Sequence, residues 1–191
     1  LNYDLRNSKY MTSSGNRTVF YQELPLVSDG NEILNSISFD QFQKLSKNSD
    51  VIGKASFYFK AINSIDPDND VRVSKRANVP YSRLRGFEKG KIGPVDNKDY
   101  IGGNYVSSVN LSSNLPFILP TLENVDFSFF IDAANVWGVD YDKNLDDSGS
   151  IRSSTGVGMN LLTPIGPFSL SLSEPLTKKS SDKTETFRFN L

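Results

Sequence analysis

Alternation with a period of two residues runs through most of this chain, and it admits extended strands rather than helices, because successive side chains on a strand point to opposite faces. In Val125-Asp126-Phe127-Ser128-Phe129-Phe130-Ile131-Asp132 every odd position is apolar and most even positions are polar. Residues 167–173 repeat the habit, with Phe168, Leu170 and Leu172 on one face and Ser169, Ser171 and Ser173 on the other. At the end of the sequence Phe187, Phe189 and Leu191 alternate with Arg188 and Asn190. Weaker versions occur at 1–6, 17–24, 34–45, 54–62, 104–112 and 151–162, which makes nine predicted strands and no helix.

Turn-rich stretches separate these segments, among them Ser13-Ser14-Gly15-Asn16, Ser28-Asp29-Gly30-Asn31, Asp146-Asp147-Ser148-Gly149 and Thr163-Pro164-Ile165-Gly166-Pro167. Strands joined this way pair as antiparallel neighbours in an up-and-down meander. One connection breaks the pattern: residues 63–103 carry no sustained alternation, and a connection of that length tends to be functional or disordered. Alternation alone leaves two architectures open, a soluble sandwich and a membrane barrel. Three features favour the barrel: strand length, a mix of short turns and long loops, and a polar face holding Asn104, Asn110, Asp126, Asp132, Arg152, Asn160, Arg188 and Asn190. Nine strands is an awkward number for a closed barrel, so part of the barrel is expected to lie outside this chain.

Composition removes much of enzyme chemistry. The 191 residues include no His and no Cys, which excludes imidazole bases, thiol nucleophiles, disulfides and thiolate zinc sites. Twenty-one basic against 22 acidic residues leave a formal net charge of -1, so binding of nucleic acid through bulk positive charge is excluded as well. No run approaches the roughly 18–20 apolar residues of a membrane-spanning helix. The N-terminus begins Leu1-Asn2-Tyr3-Asp4, with neither an initiator Met nor a basic-then-apolar leader, and reads as a piece of a longer mature protein.

Few motifs carry chemistry. Asp66-Pro67-Asp68-Asn69-Asp70 begins like a calcium loop, but Val71 stands where its glycine is needed and Ala77 where its bidentate Glu is needed. Asp140-Tyr141-Asp142-Lys143-Asn144 fails in the same way at Leu145 and Ile151. Gly90-Lys91 lacks the spacing of a phosphate loop, and the serines have no His partner to activate them. The expectation is therefore a protein with no cofactor, no metal and no enzymatic activity. What remains is Leu84-Arg85-Gly86-Phe87 inside the long connection, whose plain reading is a surface turn carrying an Arg. Its sharper reading pairs Arg85 with a carboxylate on the polar face of the sheet, where a guanidinium fork takes two charge-assisted hydrogen bonds. Asp132 is the best candidate, on one face with Asp126, Ser128 and Phe130.

The tetrad Leu84-Arg85-Gly86-Phe87, followed by Ile92-Gly93-Pro94 and by Gly102-Gly103-Asn104 at the entry to a strand, resembles the signature loop of the BamA family of outer-membrane barrel-assembly proteins. Phe130-Ile131-Asp132-Ala133-Ala134-Asn135-Val136-Trp137, Ile165-Gly166-Pro167-Phe168, Glu174-Pro175-Leu176 and Phe187-Arg188-Phe189-Asn190 continue the likeness in the same order. The match is closest from about residue 80 to the end and looser over 1–62.

The resemblance implies an all-β, antiparallel, up-and-down transmembrane β-barrel of 16 strands, of which this chain holds about nine consecutive ones and cannot close by itself. It divides the chain into four strands in 1–62, a loop folded into the lumen in 63–103, and five strands in 104–191. Arg85 would meet Asp132 and Phe130 inside the barrel, Gly102, Gly103 and Asn104 would form the strand-entry turn, and Phe187, Phe189 and Leu191 would lie on the seam strand. The implied function is folding and insertion of β-barrel proteins into the bacterial outer membrane. Unfolded outer-membrane proteins, accessory lipoproteins and membrane lipid would be the partners, with no nucleic acid. A two-partner secretion transporter or a TamA-like protein is the alternative that shares the tetrad. The chain departs from the family pattern at Ala134, where Gly is usual, at Asn110, where Glu is common, and before the tetrad, where a Gly pair often stands. With Asn110 neutral, Asp132 is left as the main anionic partner of the loop.

Overall fold

The structure is a computed structural model and describes residues 1–25, 31–48, 50–66, 68–116, 118, 124–164 and 166–190. Leu191, Ile165, Pro67 and residues 28–30, all named above, lie outside the described residues. Eleven strands follow in chain order: β1 (Asn2–Asp4), β2 (Gly15–Glu23), β3 (Glu32–Lys44), β4 (Ile52–Ser64), β5 (Val95–Asp96), β6 (Asp99–Tyr100), β7 (Tyr105–Asn114), β8 (Val125–Trp137), β9 (Arg152–Thr163), β10 (Gly166–Thr177) and β11 (Phe187–Asn190). Nine of them form one antiparallel sheet in the order β1-β2-β3-β4-β7-β8-β9-β10-β11, and each falls on one of the nine segments expected from alternation. The sheet does not close on itself, and the only helical segments among the described residues are single 3₁₀ turns.

Register carries the alternation across the sheet. Phe39 stands opposite Phe57, Phe57 opposite Val109, Leu111 opposite Ile131, Phe129 opposite Val157, and Val157 opposite Leu172, which in turn faces Phe187. These cross-strand neighbours build one continuous apolar surface. It is uncovered: Phe129 is 44% exposed, Leu172 52% and Phe187 58%. A sandwich would bury such a face against a second sheet, so the sandwich is excluded. A contiguous apolar band left bare is what a barrel wall presents to hydrocarbon.

The core lies on the other side. Ile62, Val106, Ala134 and Val136 point inward from β4, β7 and β8 and pack against Val71, Ala77, Val79, Leu84, Phe87 and Ile92 of the β4–β7 connection. That connection is not featureless. It contains 3₁₀ turns at Val73–Lys75 and Tyr81–Arg83 and the β5–β6 ribbon, whose turn residues Asn97 and Lys98 both have positive φ, 47° and 78°. Two-residue hairpins ask for that geometry, and the ribbon is too short to show alternation in sequence. Elsewhere the β9–β10 register slips between Pro175 and Thr177, beside a residue with no backbone N–H to donate.

Candidate functional site

The tetrad sits on the inner face with its apolar and charged members pointing different ways. Leu84 and Phe87, 4% and 2% exposed, are buried in the core, and this fixes the height at which Arg85 meets the sheet. Gly86 has φ +86°, and a Cβ there would stand 3.1 Å from the Ser154 side chain and 3.5 Å from that of Ser173. A side chain at this position would be strained in its backbone and crowded by β9, so glycine is what lets the loop lie flat.

Arg85 and Asp132 meet in the fork that the sequence suggested. Nε donates to Oδ2 at 2.7 Å and Nη2 to Oδ1 at 2.8 Å, while the Arg85 backbone N–H reaches Oδ2 at 3.1 Å. The guanidinium carbon lies 3.3 Å from the centre of the Phe130 ring, stacked on it, and the ring is fully buried. Gly156 stands directly opposite Phe130 on β9, and a Cβ there would come within 2.7 Å of the ring. Ser154 Oγ donates to the Arg85 carbonyl at 2.5 Å.

Asn110, directly opposite Asp132, wires the network differently. Its amide donates to Asp132 Oδ1 at 3.0 Å and to the Arg83 carbonyl at 2.6 Å, so one neutral side chain ties the carboxylate to the loop backbone just before the tetrad. Asp132 is completely enclosed and Arg85 is 22% exposed in its side chain. A carboxylate in that position needs its donors, because an ionised group left buried without them is costly.

The loop is also held at its neck. Ala77 and Gly103 exchange backbone hydrogen bonds of 2.7 and 2.9 Å, and Gly102 turns the chain with φ +68°. Asn104 donates to Asp140 Oδ2 at 3.0 Å, Arg76 to Asp140 Oδ1 at 2.5 Å, and the Val71 N–H to Oδ2 at 2.7 Å. Burial alone would raise the Asp140 pKa, but the Val71 and Asn104 hydrogen bonds and the Arg76 charge outweigh it and hold the carboxyl below its usual value. Gly102-Gly103-Asn104 is thus as much the clasp of the loop as the entry to β7.

Two further arginines brace the same end of the sheet. Arg152, wholly buried at the start of β9, takes Asp182 in a fork of 2.9 and 2.9 Å and also pairs with Asp147, whose other oxygen takes Lys179 at 2.6 Å. This joins the β8–β9 loop to the β10–β11 loop. Burial again works to raise the Asp147 pKa, and the hydrogen bonds from Lys179, Ser150 and Arg152 win, leaving it lowered. Arg188 points inward from β11, while its neighbours Phe187 and Phe189 face outward, 58% and 47% exposed. Alternation placed Arg152 and Arg188 on the polar face, and Asp147 and Glu185 stand close to them in sequence, but nothing local named Asp182 or the Phe87 carbonyl as partners.

A meandering sheet with a bare apolar outer wall and a long loop pinned inside it by an arginine fork defines a class of outer-membrane barrel. The family profile of the Omp85 superfamily domain matches residues 1–191, and this chain belongs to that superfamily. Among its relatives, outer membrane protein assembly factor BamA of Neisseria meningitidis is 31% identical over 137 residues, 56% of this chain and 17% of the relative. BamA of Neorickettsia risticii is 29% identical over 113 residues, 58% of this chain and 15% of the relative. The crystal structure of BamA from Haemophilus ducreyi lacking POTRA domains 1–3 aligns with a TM-score of 0.86 at 27% identity, covering 98% of this chain and 40% of that one. The match therefore spans less than a fifth of the length of these two relatives.

Proposed function

We propose that this chain is the C-terminal part of the barrel of a BamA-type assembly factor, which folds and inserts β-barrel proteins into the bacterial outer membrane. The observation that carries the reading is the tetrad arginine forked onto Asp132 within a sheet that aligns over nearly its whole length with a BamA barrel. The protein makes and breaks no covalent bonds in this role. An incoming strand must satisfy its backbone N–H and C=O groups before it meets lipid, where each unpaired group costs several kcal/mol. A sheet edge that can be opened offers a template on which those groups pair. In this chain the edge is β11, and the strand that would close against it belongs to the remainder of the barrel. Its partners in this reading are unfolded outer-membrane proteins, membrane lipid and accessory lipoproteins of an assembly complex. The alternative, a secretion transporter or TamA-like relative, shares the tetrad, but the two relatives described above both carry the assembly-factor name.

The loop acts as a brace in this mechanism, and Arg85 is its pin. In the full-length protein, Arg85→Ala is expected to expose residues 65–104 to protease and to slow insertion of an unfolded barrel substrate into liposomes, with the sheet intact. An Arg85→Ala protein with wild-type protection of the loop and wild-type insertion would sink the reading.

A further inference from the structure

β11 is short, and among the described residues its outer edge is unpaired. Its one buried side chain, Arg188, is 2% exposed. It reaches under the long connection. Nη2 donates to the Phe87 carbonyl at 2.6 Å, Nη1 donates to the Tyr81 carbonyl, and Nε donates to the Glu185 carboxylate. The guanidinium is stacked on the Tyr81 ring, 3.7 Å from its centre. Tyr81 lies three residues before the tetrad and Phe87 is its last residue. Backbone bonds run the same way: the Glu185 N–H donates to Gly86 O at 3.1 Å, the Glu88 N–H to Lys183 O at 3.0 Å, and the Lys183 N–H to Lys91 O at 3.0 Å.

The tetrad is therefore gripped from two sides, through Arg85 onto β8 and through Arg188 from β11. We propose that Arg188 is a positioning residue that couples the edge strand to the tetrad loop, so that β11 and residues 81–88 loosen together or not at all. If β11 moved off alone, two loop carbonyls would lose their donor and a buried cation would be dragged from its acceptors, so displacement of the edge strand pulls on the loop. Opening the edge for an incoming strand would then displace the tetrad. This regulation rests on the assembly reading above. The planar fork of Arg is needed because an ammonium is a point donor and cannot span both carbonyls in one plane.

Hydrogen exchange of the full-length protein in lipid nanodiscs tests it. In Arg188→Gln, amides of both 187–190 and 81–88 are expected to exchange about tenfold faster, with the β8–β9 ladder unchanged. Arg85→Ala is expected to accelerate 187–190 in the wild-type background but to add nothing there in an Arg188→Gln background, the non-additivity that marks coupling. If Arg188→Gln fails to insert, Arg188→Lys carries the same comparison, with a smaller acceleration in both segments. Acceleration of β11 with wild-type exchange at 81–88, or additive effects in the double variant, overturns the proposal. A protein with coupled exchange that inserts no barrel substrate would overturn the assembly reading while the coupling stands, and uncoupled exchange with normal insertion would do the reverse.

Discussion

The inner face of this sheet is two surfaces built on the same strands. Toward the β4–β7 connection, β4, β7 and β8 point Ile62, Val106 and Val136 inward, 1%, 0% and 0% exposed, and the loop's apolar residues seal over them. Toward the other end, the same strands and their neighbours line a cavity of about 860 Å³ with Asp40, Lys54, Asn110, Asp126 and Asn160. Asp132 lies at the boundary, followed on the inner face of β8 by Ala134 and Val136 of the apolar seat. The difference separates two jobs: apolar burial seats the loop against the wall, while the charge pair at the rim sets its register. A polar wall under the loop would have left it free to slide, and an apolar wall at the far end would have collapsed the lumen.

The severest way to break that division is Asp132→Ala, which strands a partly buried guanidinium and the Asn110 amide. Removing one partner of such a pair costs about 3–5 kcal/mol, to be read from denaturant unfolding together with cleavage in residues 65–104. A loss near zero would mean that the apolar seat alone sets the loop. Phe129→Lys probes the opposite wall. A lysine facing mid-bilayer costs about 2–4 kcal/mol in lipid, and wild-type folding into liposomes would show that this face does not meet hydrocarbon.

Acid separates the charged anchors from the apolar seat. Asp140 and Asp147 have lowered pKa values in the folded chain, so their contribution is present at neutral pH and is lost as pH falls through the ordinary carboxylate range and then through the lower folded values. Below about pH 4 the loop ends at 138–151 and 178–186 should become open to an acid-active protease before the buried tetrad does. Simultaneous release would contradict the division. Asn160→Ala in the wet half should change stability by no more than about 0.5 kcal/mol, and a loss comparable to that of Asp132→Ala would show the two halves to be equivalent.

The Arg85–Asp132 contact was readable because strand parity put Asp132, Phe130 and Asn110 on one face and the tetrad Leu84-Arg85-Gly86-Phe87 stood out in the long connection. Parity also placed Arg152 and Arg188 inside. It could not name their acceptors, since Asp182 lies 30 residues from Arg152 and the Phe87 carbonyl 101 residues from Arg188. Backbone carbonyls carry no sequence signature, and the space that Gly156 leaves for Phe130 is visible only once β8 and β9 are in register.

By itself the sequence determined where the strands run and which residues share a face, because those follow from side-chain direction along a single strand, and the odd number of strands pointed to an incomplete barrel. Only the tertiary structure decided that the apolar face stays bare, that the long connection seals half of the inner wall, and that β11 is tied to the tetrad. Each of these depends on distant segments meeting, and local alternation carries no information about which surface covers which.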